Sequence, residues 1–147
     1  MSEPTIIKTD KRPEVPALKL AGTLAPLQID NHHHLCAGCG HPIAYRIMQE
    51  SIAELGIEKR ALATAGHGCY TSFLTNTDID CMQVLHGRAP AVSTGIKRVQ
   101  PNSIVISLQG DGDMVSEGLH EVLHAGARGE KITCFLVNNG VFRDTGG

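Results

Sequence analysis

SIVISLQGDGDMVSEGLHEVLHAGARGEKITCFLVNNG, residues 103–140, holds the pattern that decides the fold. Ser103–Leu108 is a short run rich in β-branched residues, which predicts a buried strand. It opens into Gly110-Asp111-Gly112-Asp113. From about Met114 to Ala127, the apolar residues Val115, Leu119, Val122 and Leu123 recur at helical spacing, and Gly129 stops the run. Ile132–Val137 is a second apolar strand, with Cys134 read as core, followed by Asn138-Asn139-Gly140. Strand, helix and strand of these lengths form a βαβ unit, hence a parallel sheet with a right-handed crossover. Ligands in such sheets bind beyond the carboxyl ends of the strands, where Gly110–Asp113 and Asn138–Val141 both fall.

Upstream, a helix is expected from His41-Pro42, because proline suits the first turn, where its missing N–H has no partner. Ile43, Ile47, Met48, Ile52 and Leu55 recur at helical spacing up to Gly56. A strand at Ala61–Ala65 leads into the turn Gly66-His67-Gly68-Cys69; another strand covers about Cys81–Leu85, and a small-residue helix runs from Pro90 to Val99. Residues 1–28 hold Pro4, Pro13, Pro16 and Pro26 and read as an extended arm, with the ligand-binding domain over 29–147. His32-His33-His34 reads as a solvated loop, and Glu117, Glu121 and Glu130 as solvated helix or loop residues.

Composition narrows the function classes. A net charge of −2 excludes the basic footprint of a nucleic-acid binder. Aromatics at 3% beside 16 glycines suit a loop-built ligand site better than a β-sandwich. No apolar run is long enough to span a membrane, and Met1–Asp10 lacks the apolar core of an export signal. Cys36, Cys39, Cys69, Cys81 and Cys134 are odd in number, which argues against a disulfide framework and for a cytoplasmic setting, where a C-x-x-C pair holds a metal or does redox work.

Two constellations carry chemistry. Asp111 and Asn139 are hard oxygen donors at neighbouring strand ends, the donor types Mg²⁺ or Ca²⁺ prefers. Gly110 and Gly112 leave room for a diphosphate near the backbone, and the N-terminus of the following helix favours an anion. The bland alternative is a pair of ordinary turns, since Gly, Asp and Asn are turn formers. Cys36-Ala37-Gly38-Cys39 is a two-thiolate hook, and Cys69 offers a third thiolate; iron–sulfur or zinc would suit them, zinc with His34 or His41.

Together these motifs resemble the beta subunits of 2-oxoacid:ferredoxin oxidoreductases. Leu35-Cys36-Ala37-Gly38-Cys39-Gly40-His41-Pro42 resembles their opening motif, and Gly66-His67-Gly68-Cys69 the next, usually Gly-Ile-Gly-Cys-Ser. Leu85-His86-Gly87-Arg88-Ala89 with Thr94-Gly95-Ile96-Lys97 resembles the middle segment. Gly110-Asp111-Gly112-Asp113 and Asn138-Asn139-Gly140-Val141-Phe142, ending in Thr145-Gly146-Gly147, follow in order, most like the 2-ketoisovalerate or 2-oxoglutarate type. Tyr70 departs from the usual Ser, and Arg143-Asp144 from the usual Gly-Met.

The resemblance implies a three-layer α/β thiamine-diphosphate-binding fold, incomplete at its C-terminal side, with helices on both faces of a parallel sheet. It implies Mg²⁺ held by Asp111, Asn139 and the Val141 carbonyl, and a [4Fe-4S] cluster held by Cys36, Cys39 and Cys69, its fourth ligand outside this chain. Gly68, Cys69, His86, Gly87, Arg88, Gly110, Asp111, Gly112, Asp113, Asn139, Val141 and Phe142 would contact the cofactor, with His86 and Arg88 as catalytic candidates, although Arg88 could instead pair with a carboxylate. The implied reaction is CoA-dependent oxidative decarboxylation of a 2-oxoacid to acyl-CoA and CO₂, with electrons passing through the cluster to ferredoxin. Because no glutamate stands out for the aminopyrimidine, an alpha subunit is implied as partner, with a ferredoxin-like gamma or delta subunit. Two alternatives remain: a non-redox thiamine-diphosphate decarboxylase or synthase, and a non-catalytic truncated subunit.

Overall fold

The structure, a computed structural model, describes residues 24–30 and 32–147. Most of the proline-containing arm expected over 1–28 lies outside the described residues. Four parallel strands form one sheet: β1 (Ala61–Ala65), β2 (Asp80–Gln83), β3 (Ile104–Gly110) and β4 (Thr133–Val137), in the order β2-β1-β3-β4. The expected βαβ unit is present: β3 and β4 pair in parallel, with Leu108 opposite Phe135 and Gly110 opposite Val137. Around the sheet lie helices α1 (His41–Glu54), α2 (Ser72–Asn76), α3 (Ala89–Val99) and α4 (Leu119–Ala127). No helix among the described residues is long and apolar enough to cross a membrane.

Side-chain alternation along the strands assigns the layers. Ala61, Ala63 and Ala65 of β1 and Ile106 and Leu108 of β3 face α1, whose Tyr45, Met48 and Ile52 pack on them in one buried cluster with Phe73 of α2. The small alanines let the large helix residues approach, and Phe73 meets Tyr45 edge-on with ring centroids 5.5 Å apart. On the opposite face, Thr64 Oγ1 lies 2.6 Å from Ser93 Oγ of α3, a buried polar contact between sheet and helix. The molecule is therefore three layers, α1 and α2 over the sheet and α3 and α4 beneath it.

Three local readings are corrected. α1 turns Ile43, Ile47 and Leu55 outward, at 66%, 58% and 70% exposed, and buries the Tyr45–Met48–Ile52 seam instead. Tyr45 replaces the isoleucines because its ring has Phe73 and His41 as partners. Cys134, read as core, is exposed, because β4 is an outer strand of the sheet among the described residues. The helix expected from Met114 is divided: Gly112–Glu117 is a π-helical turn, and α4 starts at Leu119 after Gly118. Wide turns of this kind are frequent at functional sites.

The order of strands makes a switch point. The chain leaves β1 for β2 on one side, then crosses back to β3 on the other side and goes on to β4. Connections that diverge this way leave a crevice between the carboxyl ends of β1 and β3.

Candidate functional site

The loop after each strand comes to that crevice. Gly66–Tyr70 follows β1, Val84–Arg88 follows β2, Gly110–Glu117 follows β3 and Asn138–Thr145 follows β4. Between them is a cavity of about 70 Å³. Ten of the residues singled out in the sequence line it: Gly68, Cys69, His86, Gly110, Asp111, Gly112, Asp113, Asn139, Val141 and Phe142.

Asp111 and Asn139 come to one lip of the cavity. The Asn139 backbone N–H donates to Asp111 Oδ1 at 3.4 Å, and Asn139 Oδ1 accepts the Val141 N–H at 3.1 Å. The Asp111 carboxylate and the Asn139 amide oxygen, donors of the hard type that Mg²⁺ prefers, thus belong to neighbouring loops at the same cavity. The Phe142 ring lies against Gly112, on the side a β-carbon would take.

Asp113 has a different position. It is 1% exposed and lies at the junction of three loops. One carboxylate oxygen accepts the Tyr70 hydroxyl and the other the Gly87 backbone N–H. Its carboxylate also lies against Gly66, where no side chain would fit. Gly87 is held in the left-handed region at φ +76°, and its backbone packs directly on Gly118 at the end of the π-helical turn. His86 Nδ1 lies 3.1 Å from Glu117 Oε2 and 3.6 Å from Asp113 Oδ1, aligned for a hydrogen bond with neither.

Arg88 and Gly87 are not part of the lining. The Arg88 guanidinium donates to Glu121 Oε1 at 2.9 Å and lies 2.7 Å from His120 Nε2, on α4 and away from the cavity. The alternative of a carboxylate partner for Arg88 describes its position. This also corrects the solvated reading of two glutamates: Glu121 is 24% exposed beside Arg88, and Glu130 is 10% exposed between Arg98 and Arg128 at 2.5 and 2.7 Å. Glu117, at 57%, is solvated, as are His32, His33 and His34.

The three cysteines lie on the α1 side. Cys39 N donates to Cys36 O at 3.1 Å, closing the C-x-x-C hook, and Cys39 Sγ lies 3.0 Å from His41 Nδ1. Cys69 donates to Asp144 Oδ1 at 3.1 Å. Burial and then the Asp144 bond push the Cys69 thiol up. Arg143 stands among the thiols: Cys36 first, then Cys69, holds its guanidinium in the charged form. Thiolate chemistry suits iron–sulfur, and the three share one neighbourhood, but among the described residues no three Cys, His, Asp or Glu side chains stand close enough to form a metal set. His41, 6% exposed, has its pKa lowered by burial, against the opposing charge of Asp144.

Sequence reasoning did not name His41, His67, Thr145 or Val137 as cavity residues. Tyr70, Arg143 and Asp144, which also line it, carried a signal as departures from the family's usual residues. Nothing marked Val137 except its place at the end of a predicted strand.

The model of one protein family, described as thiamine pyrophosphate enzyme, C-terminal TPP binding domain, matches residues 63–147. The chain is 48% identical over 114 residues to ketoisovalerate oxidoreductase subunit VorA of Methanothermobacter thermautotrophicus, covering 78% of this chain and 24% of that one. It is 33% identical to 2-oxoglutarate synthase subunit KorB of Methanocaldococcus jannaschii, covering 78% of this chain and 43% of that one. A solved structure, the 2-oxoglutarate:ferredoxin oxidoreductase from Magnetococcus marinus with 2-oxoglutarate, coenzyme A and succinyl-CoA bound, superposes with a TM-score of 0.78 at 33% identity. That match covers 82% of this chain and 42% of the other. The chain thus spans from about a quarter to under half of the length of these relatives. By the family match and by the fold, the chain belongs to the thiamine pyrophosphate enzymes, as part of their C-terminal TPP-binding domain.

Proposed function

We propose that the chain is the cofactor-binding part of a 2-oxoacid:ferredoxin oxidoreductase beta subunit, acting on a branched-chain 2-oxoacid or on 2-oxoglutarate. The observation that carries this is the meeting of Asp111 and Asn139 at one cavity, with Cys69 on its wall and Cys36 and Cys39 next to the lining residues Arg143 and His41. Asp111 Oδ, Asn139 Oδ1 and the Val141 carbonyl would hold Mg²⁺, and Gly110 and Gly112 would admit the diphosphate to the backbone. The cavity is small, so it suits the metal and diphosphate end of the cofactor rather than all of it. Cys36, Cys39 and Cys69 would supply thiolates to an iron–sulfur cluster, with Arg143 and Asp144 giving up their present contacts with Cys36 and Cys69. When bound, thiamine diphosphate supplies the carbon nucleophile and electron sink for decarboxylation, and an iron–sulfur cluster passes electrons on one at a time.

The protein's own part is positioning. His86, on the cavity wall with Glu117 and Asp113 around it, is the family-motif side chain placed to move a proton at the site, beside His41 and His67 on the same wall; Arg88, occupied by Glu121, is left out of that role. The aminopyrimidine side of the cofactor, CoA and the onward path to ferredoxin require partner subunits, an alpha subunit and a ferredoxin-like subunit.

The test is 2-oxoacid- and CoA-dependent reduction of a viologen dye by the assembly isolated through a tag on this chain. The expected result is dye reduction that needs added thiamine diphosphate and drops at least about tenfold in Cys36→Ser, as loss of a metal ligand does. Binding of thiamine diphosphate with 2-oxoacid decarboxylation but no dye reduction would instead support the non-redox reading.

A further inference from the structure

Tyr70 and Asp113 form a clasp between loops at the cavity. Asp113 is buried, and both of its oxygens are used, one by the Tyr70 hydroxyl from the loop after β1 and one by the Gly87 N–H from the loop after β2. The Tyr70 ring is 3% exposed and fills the space beside Gly68 and Gly110, so it reaches from the first loop to the end of β3. The result is a single carboxylate that ties the ends of β1, β2 and β3 at the floor of the cavity. The residue that donates to it stands where the family motif usually carries Ser.

We infer that Tyr70 and Asp113 are positioning residues: the clasp holds three cavity loops in their ligand-ready arrangement before any cofactor arrives. This rests on the proposed cofactor site, since it assigns what keeps that site preformed. Removing the hydroxyl leaves the ring and the packing in place but frees the Gly66–Tyr70 loop from Asp113. The binding-competent arrangement is then only a fraction of the population, and apparent affinity falls by that fraction.

The experiment compares the full chain with Tyr70→Phe and, separately, Asp113→Asn. Calorimetry reads thiamine diphosphate affinity in the presence of Mg²⁺, hydrogen exchange reads the Gly87 amide without ligand, and thermal melting reads the folded fraction. Tyr70→Phe should weaken thiamine diphosphate roughly tenfold, with the chain fully folded at the assay temperature, and should speed Gly87 exchange by a similar factor. Asp113→Asn should do the same, since it keeps the shape but weakens both bonds; it stands in if Tyr70→Phe does not fold. Unchanged affinity in a folded variant overturns the inference, even if melting or exchange shifts, because the clasp is then structural only. If the unsubstituted chain binds no thiamine diphosphate, the proposed cofactor site fails. The exchange arm then decides only whether the clasp restrains the loops: unchanged Gly87 exchange overturns that restraint, and faster exchange upholds it while the link to cofactor binding falls with the site.

Discussion

Asp111 and Asp113 are two residues apart in one motif and differ in almost everything else. Asp111 is partly exposed on the cavity lip, in contact with the Asn139 N–H; Asp113 is sealed beneath it with two donors of its own. Asp113→Ala leaves the Tyr70 hydroxyl and the Gly87 N–H buried without a partner, at about 1–3 kcal/mol for each. Urea denaturation should therefore show a large loss for Asp113→Ala and a small one for Asp111→Ala; equal losses would mean Asp113 is not the buried hub. Cys81 gives a pH test. Burial first, then the nearby Asp80 charge, pushes its thiol from the ordinary 9.0 up to about 11. The unfolded chain releases this proton first, so its contribution to stability is present below pH 9 and is lost as pH rises toward 11. Cys81→Ala should flatten that alkaline decline in a series of denaturation curves. At this scale, the sequence was legible in placing Asp111 and Asn139 at one cavity, since both end strands that the pattern marks. It was not legible where a neighbour decides, as with Arg88, whose position depends on Glu121 one helix away.

Elements were readable where their ends carry local signals. β1 spans the predicted residues up to its glycine turn, and α1 starts at the predicted His41, because proline at the first turn and glycine at an element's end are local signals. The outward turn of Ile43 and Ile47 was not local: which side of α1 faces the sheet depends on the alanines of β1. The break at Gly118 likewise follows from its packing on Gly87, a contact between segments far apart in sequence. That contact makes a prediction about the turn. Gly87→Ala adds a methyl at φ +76°, against the Gly118 backbone, and should cost ~1–3 kcal/mol in a urea titration. A neutral substitution would mean that the π-helical turn and the His86–Gly87 loop are not packed as described.

The arrangement of the whole molecule combines a built site with an unfinished surface. Divergence of the chain at β1 and β3 puts the site at a switch point, and the order β2-β1-β3-β4 that creates it was not readable from any one segment. Phe135 of β4, Ile47 of α1 and Leu55 just after that helix lie on one side of the sheet and are between 40% and 70% exposed, and an apolar face left open favours association. Sedimentation velocity should show concentration-dependent self-association that Phe135→Lys reduces; no change with that substitution would show the face is not responsible. The central claim is that one divalent ion is gripped jointly at positions 111 and 139 to seat a diphosphate. Titration of Mn²⁺ into the chain with thiamine diphosphate, followed by electron paramagnetic resonance, tests it directly. The expected result is a bound Mn²⁺ signal that requires the cofactor and disappears in both Asp111→Ala and Asn139→Ala. A signal unchanged in either variant, or none with the unsubstituted chain, would contradict it.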